Sequence, residues 1–246
     1  MNMIVGCAYM VACIFFIIGI KKITKVQTAI QGNFLAAVGL LIGVVAVFFE
    51  SDVMASWDAD LMKNGYLWCA VAIAIGSVIG YVWSKKVKMT GMPELVALYN
   101  GFGGLASALV AFSEFWNERD GVDVISAVAI GITIFIGAVA FTGSLLAWGK
   151  LSEKLPGRAI LFKGQKMINL VLFLSVIAMI IIYALPNVDA GLKFNAILIL
   201  SAVSLIFGIT LVLPIGGGDM PVVISLINSF TGLAVAAAGF IITNSG

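Results

Sequence analysis

Met92–Phe112 reads MPELVALYNGFGGLASALVAF, and 128 residues later Met220–Phe240 reads MPVVISLINSFTGLAVAAAGF. Laid together without a gap, 10 of the 21 positions are identical. Each copy is long and apolar enough to cross the roughly 30 Å of bilayer hydrocarbon as a helix. Each also places one asparagine, Asn100 or Asn228, seven residues after its proline. A lone amide in lipid is costly without a partner, so a repeated one needs a physical reason.

The rest of the chain sets the context for these two runs. Of 246 residues 62% are hydrophobic and 11% charged, with a mean hydropathy of +1.15. Soluble domains carry about 45–50% apolar and about 25% charged residues. A soluble core of this length could not hide so much apolar surface, so the solvent is lipid. The net charge of +2 gives no case for nucleic acid as a partner. There is no histidine, which removes the side chain that titrates near neutrality and the commonest metal ligand. Cys7, Cys13 and Cys69 sit in apolar runs without CxxC spacing and read as small buried hydrophobes, not as a metal site or disulfide. Residues 1–20 lack a basic leader and a clear cleavage site, which predicts a retained span.

Eight runs are long enough to span: about 3–20, 30–49, 66–83, 94–113, 124–148, 167–186, 194–215 and 221–243. None shows the alternation of a barrel strand, so the fold expected is all-α, a polytopic bundle of eight helices in one domain, residues 1–246. The first, third and fifth loops hold eleven of the 14 basic residues, among them Lys21, Lys85, Lys150, Lys154 and Arg158. The even loops hold nine of the twelve acids, including Glu50, Asp123 and Asp189. The positive-inside rule then puts the odd loops in the cytoplasm and both chain ends outside. The longest loop is under about 20 residues, too short for a soluble catalytic domain. No charge is expected within a span. Gly76 and Gly80, and Gly131, Gly137 and Gly143, read as close-packing positions. Trp57, Trp68, Trp83, Trp116 and Trp148 fall near span ends, as interfacial anchors do.

Glu94 and Asp219 lie at the starts of the fourth and eighth spans, where a helix N-terminus favours an acid, and Pro93 and Pro221 suit a first turn. The two asparagines then sit roughly 10 Å into helices that run the same way. The repeat is parallel, not inverted. Ser144 reaches a similar level from the fifth span, and Tyr99, Ser225 and Thr231 add polar atoms nearby in sequence. The amides are either glue between helices or the lining of a narrow wet path. An asparagine takes up no proton near neutral pH, so in a path it orients or gates water.

At these residues the sequence resembles the β subunit of proton-translocating NAD(P) transhydrogenase. The phrases that carry it are MPELVAL with GFGGLA, FTGSLLAWGKL at Phe141–Leu151, and above all GGGDMPVVISLINSFTGLAVAAAGF. The likeness implies a multi-pass domain of the inner membrane that couples inward proton flow to hydride transfer from NADH to NADP⁺. It implies no cofactor on these spans: NAD(H) on the α subunit, NADP(H) on a soluble domain following the β spans, and a homodimer of αβ units. By motif, Asn228 and Ser144 match channel positions, with Asn100 and Tyr99 beside them. Asp219 matches the acid of the cytoplasmic mouth where the NADP(H) domain docks, with Gly217, Gly218 and Glu94 around it. Many members carry a histidine where this sequence has Asn100, which moves the titrating group to the α subunit or to a water chain. In the family the spans continue into one more helix and a Rossmann-like NADP(H) domain, neither of which falls within these 246 residues. A self-contained secondary transporter with its site between the repeats is the alternative of a different class.

Overall fold

A computed structural model describes residues 3–49, 65–117 and 123–244. Among them run eight helices long and apolar enough to cross a membrane: α1 (Met3–Ile23), α2 (Ala29–Val47), α3 (Gly65–Lys86), α4 (Met92–Asn117), α5 (Val124–Leu151), α6 (Gln165–Ala184), α7 (Ala190–Val212) and α8 (Met220–Asn244). The eight expected spans are therefore present, several with shifted ends. Trp57, nearly all of the second loop and residues 118–122 of the fourth lie outside the described residues.

The shifts have local causes. The seventh helix begins at Ala190, four residues before its expected start, because the Asp189 carboxylate caps it by accepting from Gly191 and Leu192 N–H. It stops at Val212 because Pro214 has no N–H to continue the ladder. The sixth stops at Ala184 as Leu185 turns extended ahead of Pro186. Asp123 caps α5 in the same manner through Ile125 and Ser126 N–H.

The chain forms two compact units, residues 1–85 and 86–246. In the first, α1 and α2 form a hairpin closed by Thr28 Oγ1 donating to the Lys22 carbonyl at 2.7 Å. A side chain at Gly32 would collide with the Gly19 carbonyl and Ile23, so glycine sets the α1–α2 spacing. Tyr66 OH donates to the Phe48 carbonyl at 2.9 Å and ties the start of α3 to the end of α2. No residue of α3 is buried, and Gly76 has open space around it among the described residues, so they show no close packing there. Cys7, Cys13 and Cys69 correct an expectation: they are free and exposed, not buried. Their helices present them outward, where the neighbour of a membrane helix is an acyl chain and a thiol costs little.

In the second unit α5 is the central helix, packed on α4, α6, α7 and α8. Its small residues face a different partner at each turn. Gly131 meets Ile180 of α6, Gly137 meets Gly104 and Ala108 of α4, and Gly143 meets Val212 of α7 and Ile227 of α8. This is the close-packing role expected of them. Two cores result. One gathers Phe115, Ile130, Tyr183, Ile197 and Leu200; the other gathers Ala97, Ala140, Ala147, Met220 and Ile227.

Candidate functional site in the helical bundle

The repeat is deeper in the backbone than in the sequence. Lys88 (φ −72°, ψ 158°) and Gly216 (φ −73°, ψ 157°) are both extended, and each leads into a three-residue 3-10 turn, Met89–Gly91 or Gly217–Asp219. Each turn runs directly into a Met-Pro helix start, so Pro93 and Pro221 occupy first turns where no N–H is missed. Glu94 is half-buried in the first turn of α4, and Asp219 closes the turn before α8, exposed like Gly218. Both acids sit where helix N–H groups favour them.

α4 and α8 pack on each other as well as on α5. A side chain at Gly103 would stand 3.4 Å from the Thr231 methyl. That pair is separated by the same 128 residues as the repeat, so Asn100 and Asn228, each three residues earlier, lie at one level. Their surroundings differ. Asn100 is buried at 8% exposure, and its Nδ2 donates to Ser144 Oγ of α5 at 2.9 Å. Ser144 is fully buried. The contact exists because Gly101 has no side chain: a Cβ there would press on Ser144 Cβ at 3.1 Å. The Asn100 Oδ1 is buried with no hydrogen-bond partner. Such an acceptor costs about 1–3 kcal/mol unless water or a donor meets it.

Asn228 lies on the outer face of α8, exposed, and so does Ser225. The side chains α8 turns inward are Val223, Ile224, Ile227, Thr231, Ala234 and Ala238, a stripe at helical spacing that passes beside Asn228. Tyr99 is 39% exposed. The structure thus joins Asn100 to Ser144, sets Asn228 level with them on another face, and leaves Tyr99 turned outward.

One functional group was missed in the sequence. Lys150, expected in a loop, lies in the last turn of α5 and is 3% exposed, so a charge does fall within a span. Its ammonium donates to the carbonyls of Leu213 and Ile215, each at 2.6 Å. Leu213 is the C-cap of α7 and Ile215 the first residue past Pro214, so both carbonyls fall where the helix ladder has ended. The same break frees the Thr210 carbonyl, which would have accepted from residue 214; buried Gln165 Nε2 donates to it at 3.0 Å. Gly217 N–H donates to the Gly157 carbonyl at 2.7 Å and Ile160 N–H to that of Leu213 at 3.2 Å. The α7–α8 connector is therefore sewn to the end of α5 and to the segment 157–165. The sequence offers only a general hint, a lysine near a helix C-terminus, which would point to carbonyls of its own helix and not to those 63 and 65 residues away.

Among the described residues no three of His, Cys, Asp and Glu come together as metal ligands would. Comparison with known proteins gives the context for this geometry. The family described as "NAD(P) transhydrogenase beta subunit" matches residues 5–246. The NAD(P) transhydrogenase subunit beta of Rhodospirillum rubrum is 34% identical over 244 residues, covering 96% of this chain and 49% of the relative. A second, strain-specified sequence from that organism matches to the same extent. The chain spans about half the length of these relatives, and its residues correspond to their membrane part. A match over nearly the whole chain, with eight membrane-capable helices, makes this chain a multi-pass membrane domain of the NAD(P) transhydrogenase beta subunit family.

Proposed function

We propose that this domain carries protons inward across the inner membrane and couples their flow to hydride transfer from NADH to NADP⁺. The observation that carries the reading is the Asn100–Ser144 pair: a buried amide donating at 2.9 Å while its Oδ1 lacks a partner. Neither group titrates near neutral pH, so their part is to hold and orient water. In this reading the titrating group comes from the α subunit or from the water chain itself. Spans of that subunit cover the Asn228 face of α8 and complete the path, with Tyr99 at its margin. NAD(H) and NADP(H) bind to nucleotide domains of the complex and none binds between these helices. The NADP(H) domain acts on the Gly217–Gly218–Asp219 turn and the Glu94 end of α4, with the basic loops on its side and the N-terminus opposite. The working complex is a homodimer of αβ units.

The test is reconstitution of the full β subunit with its α subunit in liposomes, reading internal pH by dye and NADPH by absorbance. Ser144→Ala removes the acceptor for Asn100, and Asn100→Leu removes the amide. Both are expected to slow proton uptake and coupled NADP⁺ reduction together, by about tenfold or more, the factor that 1.4 kcal/mol commands. Unchanged flux in both variants would overturn the assignment.

A further inference from the structure

Among the described residues Lys150 is the one buried side chain with a charge. It lies at the end of the helix that carries Ser144, six residues or roughly 9 Å further along. Its two acceptors, Leu213 and Ile215, flank Pro214 at the start of the connector to α8. The connector continues through Gly216 and the Gly217–Asp219 turn into Met220, which is fully buried in the core beside Ala97, Ala140 and Ala147. Resting on the coupling function proposed above, we infer that Lys150 is a positioning residue. It is a charged strut that ties the α7–α8 connector to α5, so that a displacement of the Gly217–Asp219 turn reaches the Ser144–Asn100 pair.

A relay role for the same lysine is the competing idea, and the geometry argues against it. Carbonyl oxygens accept hydrogen bonds but take no proton at physiological pH, so neither partner at 2.6 Å can receive one from Lys150. The strut needs two N–H donors on one nitrogen, and the positive charge strengthens both bonds. Leu213 caps α7 and Ile215 lies beyond Pro214, so neither carbonyl has an intrahelical partner; Leu213 also accepts from Ile160 N–H. Pro214 makes the dependence stronger, since the chain beyond it cannot return an N–H to Thr210, and the Gln165 amide serves instead.

The experiment uses the complete α and β subunits in liposomes and compares Lys150→Met, Lys150→Arg and Ser144→Ala. The readout is the stimulation of NADP⁺ reduction by an imposed proton gradient, relative to the rate with uncoupler present. Lys150→Met is expected to lose most of that stimulation, about tenfold or more, while its uncoupled hydride transfer stays near the parent's. Lys150→Arg, which keeps the charge and several donors but cannot release a proton, is expected to retain it within about threefold. If Lys150→Met does not reach the membrane, Lys150→Gln, one bond too short to reach both carbonyls, takes its place with the same expectation. Equal stimulation in the neutral variant and the parent overturns the strut. So does an arginine variant that inserts and melts like the parent yet is as uncoupled as the methionine one. If Ser144→Ala cuts flux while Lys150→Met is silent, the strut alone fails; if both are silent, the channel reading fails with it.

Discussion

The packing of α4 on α5 gives the sharpest quantitative expectation. A Cβ added at Gly137 would stand 2.6 Å from the Gly104 carbonyl, 2.9 Å from Ala108 N and 3.0 Å from Ala108 Cβ. All three are backbone or first-carbon atoms, so no rotamer change relieves the clash. The shortest is about 0.8 Å inside ordinary contact distance, and two stiff helices relieve it only by moving apart by about that much. The Asn100–Ser144 hydrogen bond spans the same two helices about two turns away, at 2.9 Å. A separation of about 0.8 Å stretches it to about 3.7 Å, past the range in which it counts as a bond. Gly137→Ala is thus expected to cost about 1–3 kcal/mol by overpacking, less the roughly 0.5–1 kcal/mol that alanine adds to a helix.

The assay is a thermal melt of the purified domain in detergent, paired with proton uptake by the reconstituted complex. Gly76→Ala is the control. Among the described residues a Cβ at Gly76 would meet nothing within 4 Å, so the propensity gain dominates and the melt is expected to rise slightly or hold. Opposite signs at two glycines that look alike in sequence are the signature sought. A Gly137→Ala protein that melts at or above the parent, with full proton uptake, would refute the claim that α4 and α5 meet rigidly through glycine.

Three other outcomes follow from the described contacts. Gln165→Leu strands the Thr210 carbonyl that Gln165 Nε2 caps; the melt is expected to fall by an amount equivalent to about 1–3 kcal/mol. Asp189→Ala removes the cap of α7 and is expected to cost about 1 kcal/mol, with Asp189→Asn recovering most of it. Asp123 is held below its ordinary carboxylate pKa, first by the side-chain hydrogen bond with Ser126 and then by backbone N–H groups. A lowered folded pKa means its contribution is present above the unfolded value of roughly 3.9 and is lost as pH falls through the lower folded one. Melts of parent and Asp123→Asn protein are therefore expected to differ in slope only on the acid side of about pH 4.

Much of this was legible in the sequence, because lipid imposes simple rules. Apolar length gave the eight helices, and glycine spacing gave the role of Gly131, Gly137 and Gly143 on α5. Depth placed Ser144 near the level of the two amides, but that it meets Asn100 and not Asn228 was not legible. What escaped depends on partners distant in the chain. Lys150 looked like one more loop lysine because its acceptors are 63 and 65 residues away. The cysteines were misplaced because apolar surroundings look the same in sequence whether protein or lipid supplies them. Ends of α6 and α7 depended on Pro186, Pro214 and the Asp189 cap, local chemistry that a hydropathy window averages away.

The two copies of the repeat also bury opposite faces, which identical periodicity could not reveal. α4 buries Ala97, Asn100, Gly101, Gly104, Ser107 and Ala111 against its neighbours. The residues 128 later on α8 are Ser225, Asn228, Ser229, Gly232, Val235 and Gly239, and all six are exposed. In α4 that face works by letting another helix come close enough for an amide to reach a hydroxyl, with Gly101 and Gly104 giving the room. α8 keeps the amide and the small residues, but Ser225, Asn228, Ser229 and Gly232 are not packed beneath a helix of their own unit as the α4 face is. An amide left in hydrocarbon is expensive, so a face of this composition is stable only beneath another helix. On the proposed reading that helix belongs to the α subunit, and it brings its own polar group to the level of Asn228. On that reading the proton path runs beside the α4–α8 seam, between an amide that Ser144 meets only at its Nδ2, leaving its Oδ1 for water, and one met across the subunit boundary.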